Sequence, residues 1–123
     1  MKIFTDTNVL VSAFTARGLC ADLLEVIIAD HQLMTGKFVL QELERVLITK
    51  LKVPDNKVAD TLRFLNKNHV EPIPEEPSEI EVRDEDDRWV LESALRANAD
   101  ILVTGDKDLL VLSKNITKIK IIS

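Results

Sequence analysis

A chain of 123 residues with 46% apolar content is long enough to bury one core and too short for two, so residues 1–123 are expected to form a single domain. A formal charge of −5 excludes nucleic-acid binding by a broad basic face alone. The lone Cys20 excludes an intramolecular disulfide, no Cys/His spacing resembles a zinc site, and neither a signal-peptide layout nor a membrane-length apolar run occurs; a soluble protein of a reducing cytoplasm is expected.

Lys2 to Thr5 reads as an apolar strand ending at Asp6. Gly18 is a natural loop position, and Cys20, Leu23, Leu24, Ile27 and Ile28 then follow the i, i+3, i+4 spacing of an amphipathic helix. His31 to Gly36 is a short strand. Val39, Leu40, Leu43, Val46, Leu47 and Leu51 mark a second helix, which Pro54-Asp55 separates from a third carrying Val58, Leu62 and Leu65. His69 to Ile73 reads as a brief, proline-limited strand. Pro72 to Glu81 has the proline and glutamate content of a loop and leads into the acidic run Asp84-Glu85-Asp86-Asp87. Val90, Leu91, Ala94 and Leu95 define a fourth helix, Ile101 to Val103 a strand, Lys107 to Leu112 a short helix and Ile119 to Ile122 a last strand. This alternation predicts an α/β fold whose parallel sheet is covered by helices on both faces.

Asp6 and Asp106 each follow an apolar strand, and open parallel sheets bind ligands beyond the carboxyl ends of their strands. Though a hundred positions apart, they are candidates to meet there, while the plainer reading makes each a turn or helix cap. Carboxylates gathered at such a place suit Mg²⁺ or Mn²⁺, which prefer hard oxygen ligands. Asp87 extends the buried stripe of Val90 and Leu91 by one turn and so points toward the sheet. Asp84 and Asp86 are close rivals, and the whole run is also what a solvated helix N-terminus looks like. Glu42 and Glu44 flank the apolar face of the second helix on opposite sides, and periodicity does not choose between them. His31 and His69 fall in strand-like segments without a catalytic motif, which favours a structural or surface role. Lys37, Lys50, Lys52, Lys107 and Lys114 are available for phosphate contacts, but their spacing does not place them together.

Four segments together resemble the PIN-domain ribonucleases: Phe4-Thr5-Asp6-Thr7-Asn8-Val9-Leu10-Val11-Ser12, Leu40-Gln41-Glu42-Leu43-Glu44-Arg45-Val46-Leu47, Asp84-Glu85-Asp86-Asp87-Arg88-Trp89-Val90-Leu91, and Val103-Thr104-Gly105-Asp106-Lys107-Asp108-Leu109-Leu110. They look most like the bacterial and archaeal toxin components of toxin–antitoxin pairs, relatives of the VapC toxins. The resemblance spans essentially the whole chain. It implies a five-stranded parallel sheet with first and fourth strands adjacent. It also implies a site of Asp6, Glu42, Asp87 and Asp106 serving as catalytic and metal-binding residues, choosing Glu42 over Glu44 and Asp87 over Asp84 and Asp86. Asn8, Thr104 and Asp108 match accessory polar positions. The implied activity is Mg²⁺- or Mn²⁺-dependent hydrolysis of RNA phosphodiesters, with an RNA substrate, a small antitoxin protein and a homodimer as the implied partners.

Three rivals stand beside this reading. Haloacid-dehalogenase-like phosphatases also begin with a strand ending in aspartate, but they want a second Asp where this chain has Asn8. A phospho-acceptor receiver domain fits the length, yet its acceptor should end a central strand, where Val70-Glu71-Pro72-Ile73 stands. The third is a PIN fold that has lost activity and serves as a binding module, against which the retention of all four acidic positions argues.

Overall fold

The computed structural model describes residues 1–15 and 19–123, with no side-chain description for residues 19–21; Gly18 and the Cys20 side chain, named above, therefore lie outside the described residues. Five strands, β1 (Lys2–Thr5), β2 (Gln32–Gly36), β3 (His69–Glu71), β4 (Ile101–Val103) and β5 (Lys120–Ile122), form one all-parallel sheet in the order β3-β2-β1-β4-β5. The flavodoxin-like order 2-1-3-4-5 of receiver domains is different, so that rival is set aside. β1 pairs with β2 on one side and β4 on the other, in the register Ile3 to Ile101 and Thr5 to Val103.

The helices are α1 (Thr7–Thr15), α2 (Leu19–Asp30), α3 (Lys37–Arg45), α4 (Asp55–Asn66), α5 (Glu85–Arg96) and α6 (Lys107–Leu110). A π-helical turn over Val46–Lys50 prolongs α3, and a 3₁₀ turn over Val111–Lys114 prolongs α6. Right-handed crossovers require α1 to α4 on one face of this sheet and α5 with α6 on the other. Val39, Leu40, Leu43 and Leu47 are buried, as their spacing predicts, whereas Leu51 is exposed.

α1 is the element that sequence periodicity did not assign. Thr7, Val9 and Val11 are β-branched and read locally as strand. Helix forms because Asp6 stops the strand: its carboxylate accepts the Thr7 N–H at 2.7 Å and its carbonyl accepts the Leu10 N–H at 3.2 Å. At the same carboxyl end of the sheet, α5 lies close over β2. A Cβ on Gly36 would stand 3.1 Å from the Phe4 ring and 3.3 Å from Ser93 Cβ, so a side chain there would require the Phe4 ring and α5 to give way by a few tenths of an ångström. Just past the end of α5, Asn98 adopts φ 55° while the Ala99 N–H returns to the Ala94 carbonyl, a left-handed cap. The loop before α5 is pinned by buried Ser78, whose N–H donates to the Arg88 carbonyl while Arg88 Nε donates back to its carbonyl at 2.9 Å. No described helix is long and apolar enough to cross a membrane.

Candidate metal centre

The strand order reverses between β1 and β4, one leading to β2 and β3 and the other to β5, and ligands bind at such a switch point. A cleft of about 330 Å³ opens there, lined by Asp6, Asn8, Glu42, Asp84, Asp87 and Asp106 among others. Asp6 after β1, Glu42 on α3, Asp87 on α5 and Asp106 before α6 thus come to one place. Glu44 is exposed and lines a different cavity with Lys37, so the two glutamates flanking the α3 face have separate surroundings.

Asp6 and Asp106 are each held by specific contacts. Asp6 is 5% exposed, and its Oδ2 accepts the Thr104 hydroxyl at 2.7 Å. The same hydroxyl accepts the Asp106 N–H at 3.0 Å, so buried Thr104 ties the loop after β4 to the end of β1. Asn8 adds a second tie: its Oδ1 accepts the Gly105 N–H at 3.1 Å, and a Cβ on Gly105 would lie 3.2 Å from Asn8 Nδ2. Asp106 accepts the Asp108 N–H at 2.8 Å and is the N-cap of α6. Asp108 itself is not among the residues lining the cleft.

The acidic run before α5 divides its labour. Asp84 is the N-cap, accepting the Asp86 N–H at 3.0 Å, and Glu85 pairs with Arg88 in the first turn. Asp87 is turned inward, 6% exposed, with a buried Oδ2 that has no hydrogen-bond partner. Oxygens of Asp84, Asp87 and Asp106 lie within 4.8 Å of one another. The resemblance had preferred Asp87 to Asp84, but geometry brings both together. A capping aspartate spends one oxygen on the helix and leaves the other free, which explains how Asp84 and Asp106 serve as caps and still face the cleft.

This concentration of charge shifts proton affinities. Asp87 is pushed up to about 8, first by burial, then by the charge of Asp106 and hydrogen bonding to it, with smaller repulsion from Asp6 and Asp84. Burial also raises Asp6, against the lowering effect of its Thr104 and Thr7 hydrogen bonds, with further upward pushes from Glu42 and Asp106. Carboxylates with raised pKa bind protons more tightly folded than unfolded, so stability is lost as pH rises from the unfolded value near 4 toward 8. In EDTA, the urea midpoint should therefore fall between pH 5.5 and pH 8, the unfolding free energy dropping by up to about 1.4 kcal/mol per pH unit for each such group. A midpoint that stays level or climbs over that range would show these carboxylates to be comfortable when ionised.

The donor set fits Mg²⁺ or Mn²⁺. It consists of hard oxygens, neither histidine lines the cleft, and the unpartnered Asp87 Oδ2 lacks the positive charge or donor that a buried carboxylate requires. None of the five lysines considered for phosphate contact lines it either; Lys37 and Lys52 line other cavities. Arg45, three positions beyond Glu42 on α3 and so on the same helix side, lines an adjoining cavity.

A family model for the PIN domain matches residues 2–108, and the chain belongs to the PIN domain family. Among solved structures, VapBC2 from Rickettsia felis bound to a DNA fragment from their promoter matches with a TM-score of 0.71 at 17% identity, covering 98% of this chain and 97% of that one. VapC20 of Mycobacterium tuberculosis, a toxin that cleaves the sarcin–ricin loop, matches with a TM-score of 0.65 at 15% identity, covering 96% of this chain and 98% of that one. At these identities the likeness is one of fold. A comparison with curated protein sequences gives no match.

Proposed function

We propose that this protein is a Mg²⁺- or Mn²⁺-dependent endoribonuclease and the toxin of a toxin–antitoxin pair acting in the cytoplasm. The observation that carries the reading is the convergence of acidic side chains from four separate segments on one cleft, with the buried Asp87 Oδ2 left without a partner. Asp6, Asp84, Asp87 and Asp106 would hold the ion, with Glu42 completing the acidic wall. When bound, Mg²⁺ or Mn²⁺ lowers the pKa of water and neutralises charge on a scissile phosphate. The chain's own part is placement: Thr104 and Asn8 lock the loops that carry Asp6 and Asp106, and the half-buried Glu42 closes the cleft from α3.

The proposal extends to an RNA substrate, a small antitoxin and a homodimer, with the PIN-family match and the toxin neighbours as its support. A panel of RNAs, including a sarcin–ricin stem-loop because one neighbour cleaves that loop, should be cut in Mn²⁺ and left intact in EDTA. Cutting that persists in EDTA, or an uncut panel in Mn²⁺, would refute the nuclease assignment.

A further inference from the structure

Phe38, Gln41, Glu42 and Arg45 stand at i, i+3, i+4 and i+7 on α3 and so share one helix face. With Asp86 they line a second cavity, of about 310 Å³, and Glu42 and Asp86 also line the carboxylate cleft. The two spaces adjoin, with those residues as their shared wall. Phe38 is half-buried, and its ring stacks on Trp89 of α5 with centroids 5.9 Å apart and planes 17° from parallel. A phenyl ring backed by a second aromatic is held in place from both helices. Arg45 is exposed and forms no ion pair among the described residues.

Single-stranded RNA offers three handles: a base face that stacks on aromatic rings, a base edge that hydrogen-bonds, and a phosphate. The cavity presents one group for each, in Phe38, the Gln41 amide and the Arg45 guanidinium. Stacking has to matter more than usual here. The chain carries a net charge of −5, and among the described residues no lysine lines the cleft or this cavity, which leaves Arg45 as the cationic side chain there to meet a phosphate.

We propose that this cavity receives the nucleobase adjacent to the cleaved phosphodiester, stacked on Phe38, with Gln41 at its edge and Arg45 at a neighbouring phosphate. The assignment rests on the ribonuclease reading of the adjoining cleft. Its test uses two readouts. Trp89 is the only tryptophan, so its emission reports the Phe38 neighbourhood directly, while the anisotropy of a labelled single-stranded oligoribonucleotide in Ca²⁺ reports affinity apart from cleavage.

Oligoribonucleotide binding should quench Trp89. Phe38→Leu, which keeps an apolar side chain against the core, should weaken binding about ten- to hundredfold, and Phe38→Tyr should retain it. An abasic residue walked through the substrate should find one position, beside the cut, where removing the base costs the wild type as much as Phe38→Leu does and costs Phe38→Leu nothing more. In Mn²⁺ the same loss should fall on KM rather than kcat. Wild-type affinity in Phe38→Leu, or an equal loss for intact and abasic oligomers, would overturn the subsite. So would Trp89 emission indifferent to RNA, which would leave the cavity to a protein partner. Quenching without Mn²⁺-dependent cleavage would refute the nuclease and spare the subsite, whereas cleavage indifferent to Phe38→Leu would do the reverse.

Discussion

Asp87→Asn should make the metal-free protein more stable while removing its Mn²⁺-dependent cleavage of RNA. The two effects have opposite signs because one carboxylate is both a burden on the apo fold and a ligand for the ion. Asp87 is buried beside Asp106 with Oδ2 unpartnered, and its affinity for a proton is raised to about 8. At pH 7.5 the folded protein therefore holds this group against a cost that the unfolded chain does not bear, and an amide of the same shape carries no charge to desolvate. After relaxation of the site, the gain should be on the order of 2 kcal/mol, a rise of roughly 5–10 °C in Tm for a domain of this size. Asp87 contributes nothing to the α5 cap, which Asp84 supplies, so the substitution leaves the helix start intact. Loss of one ligand oxygen should lower kcat/KM by at least about a hundredfold, because charge neutralisation at phosphate contributes several kcal/mol. A metal-free Asp87→Asn protein that melts several degrees below wild type would make Asp87 a structural residue.

How much of this centre was legible in the sequence depended on what kind of signal each residue leaves. Asp6 and Asp106 follow apolar strands, and the rule that parallel sheets bind ligands beyond their carboxyl ends was enough to pair them; β1 and β4 are indeed hydrogen-bonded neighbours. Asp87 was legible as the continuation of a buried stripe. Asp84 was not, since an acidic residue at a helix start is satisfied by capping alone, and only three-dimensional placement brings its oxygens to those of Asp87 and Asp106. Glu42 and Glu44 were symmetric about the α3 stripe, and family resemblance, not periodicity, separated them. α1 escaped because local β-branched preference is weak beside the turn that Asp6 imposes, a case of tertiary context overriding propensity. The Thr104 bridge was equally hidden. Sequence reveals a polar residue after β4, but a hydroxyl that donates to Asp6 and accepts from Asp106 exists only once the two loops are side by side.

The most direct measurement of whether the cleft holds a divalent ion is the thermal shift produced by Mn²⁺ in the wild type and in an Asp6→Asn, Asp106→Asn double variant. An ion that binds the folded site and not the unfolded chain adds RT ln(1 + [L]/Kd), about 2.7 kcal/mol at a hundredfold excess over Kd. For a domain of this length that corresponds to roughly 10 °C. Two ligands must be removed together, because water readily replaces one oxygen on Mg²⁺ or Mn²⁺ and leaves partial binding. Both aspartates also organise helix starts, so each protein is compared with itself in EDTA and only the Mn²⁺ increment is read. The carboxylate centre predicts a large increment in the wild type and a small one in the double variant. Equal increments in the two proteins would place the ion elsewhere and contradict the account.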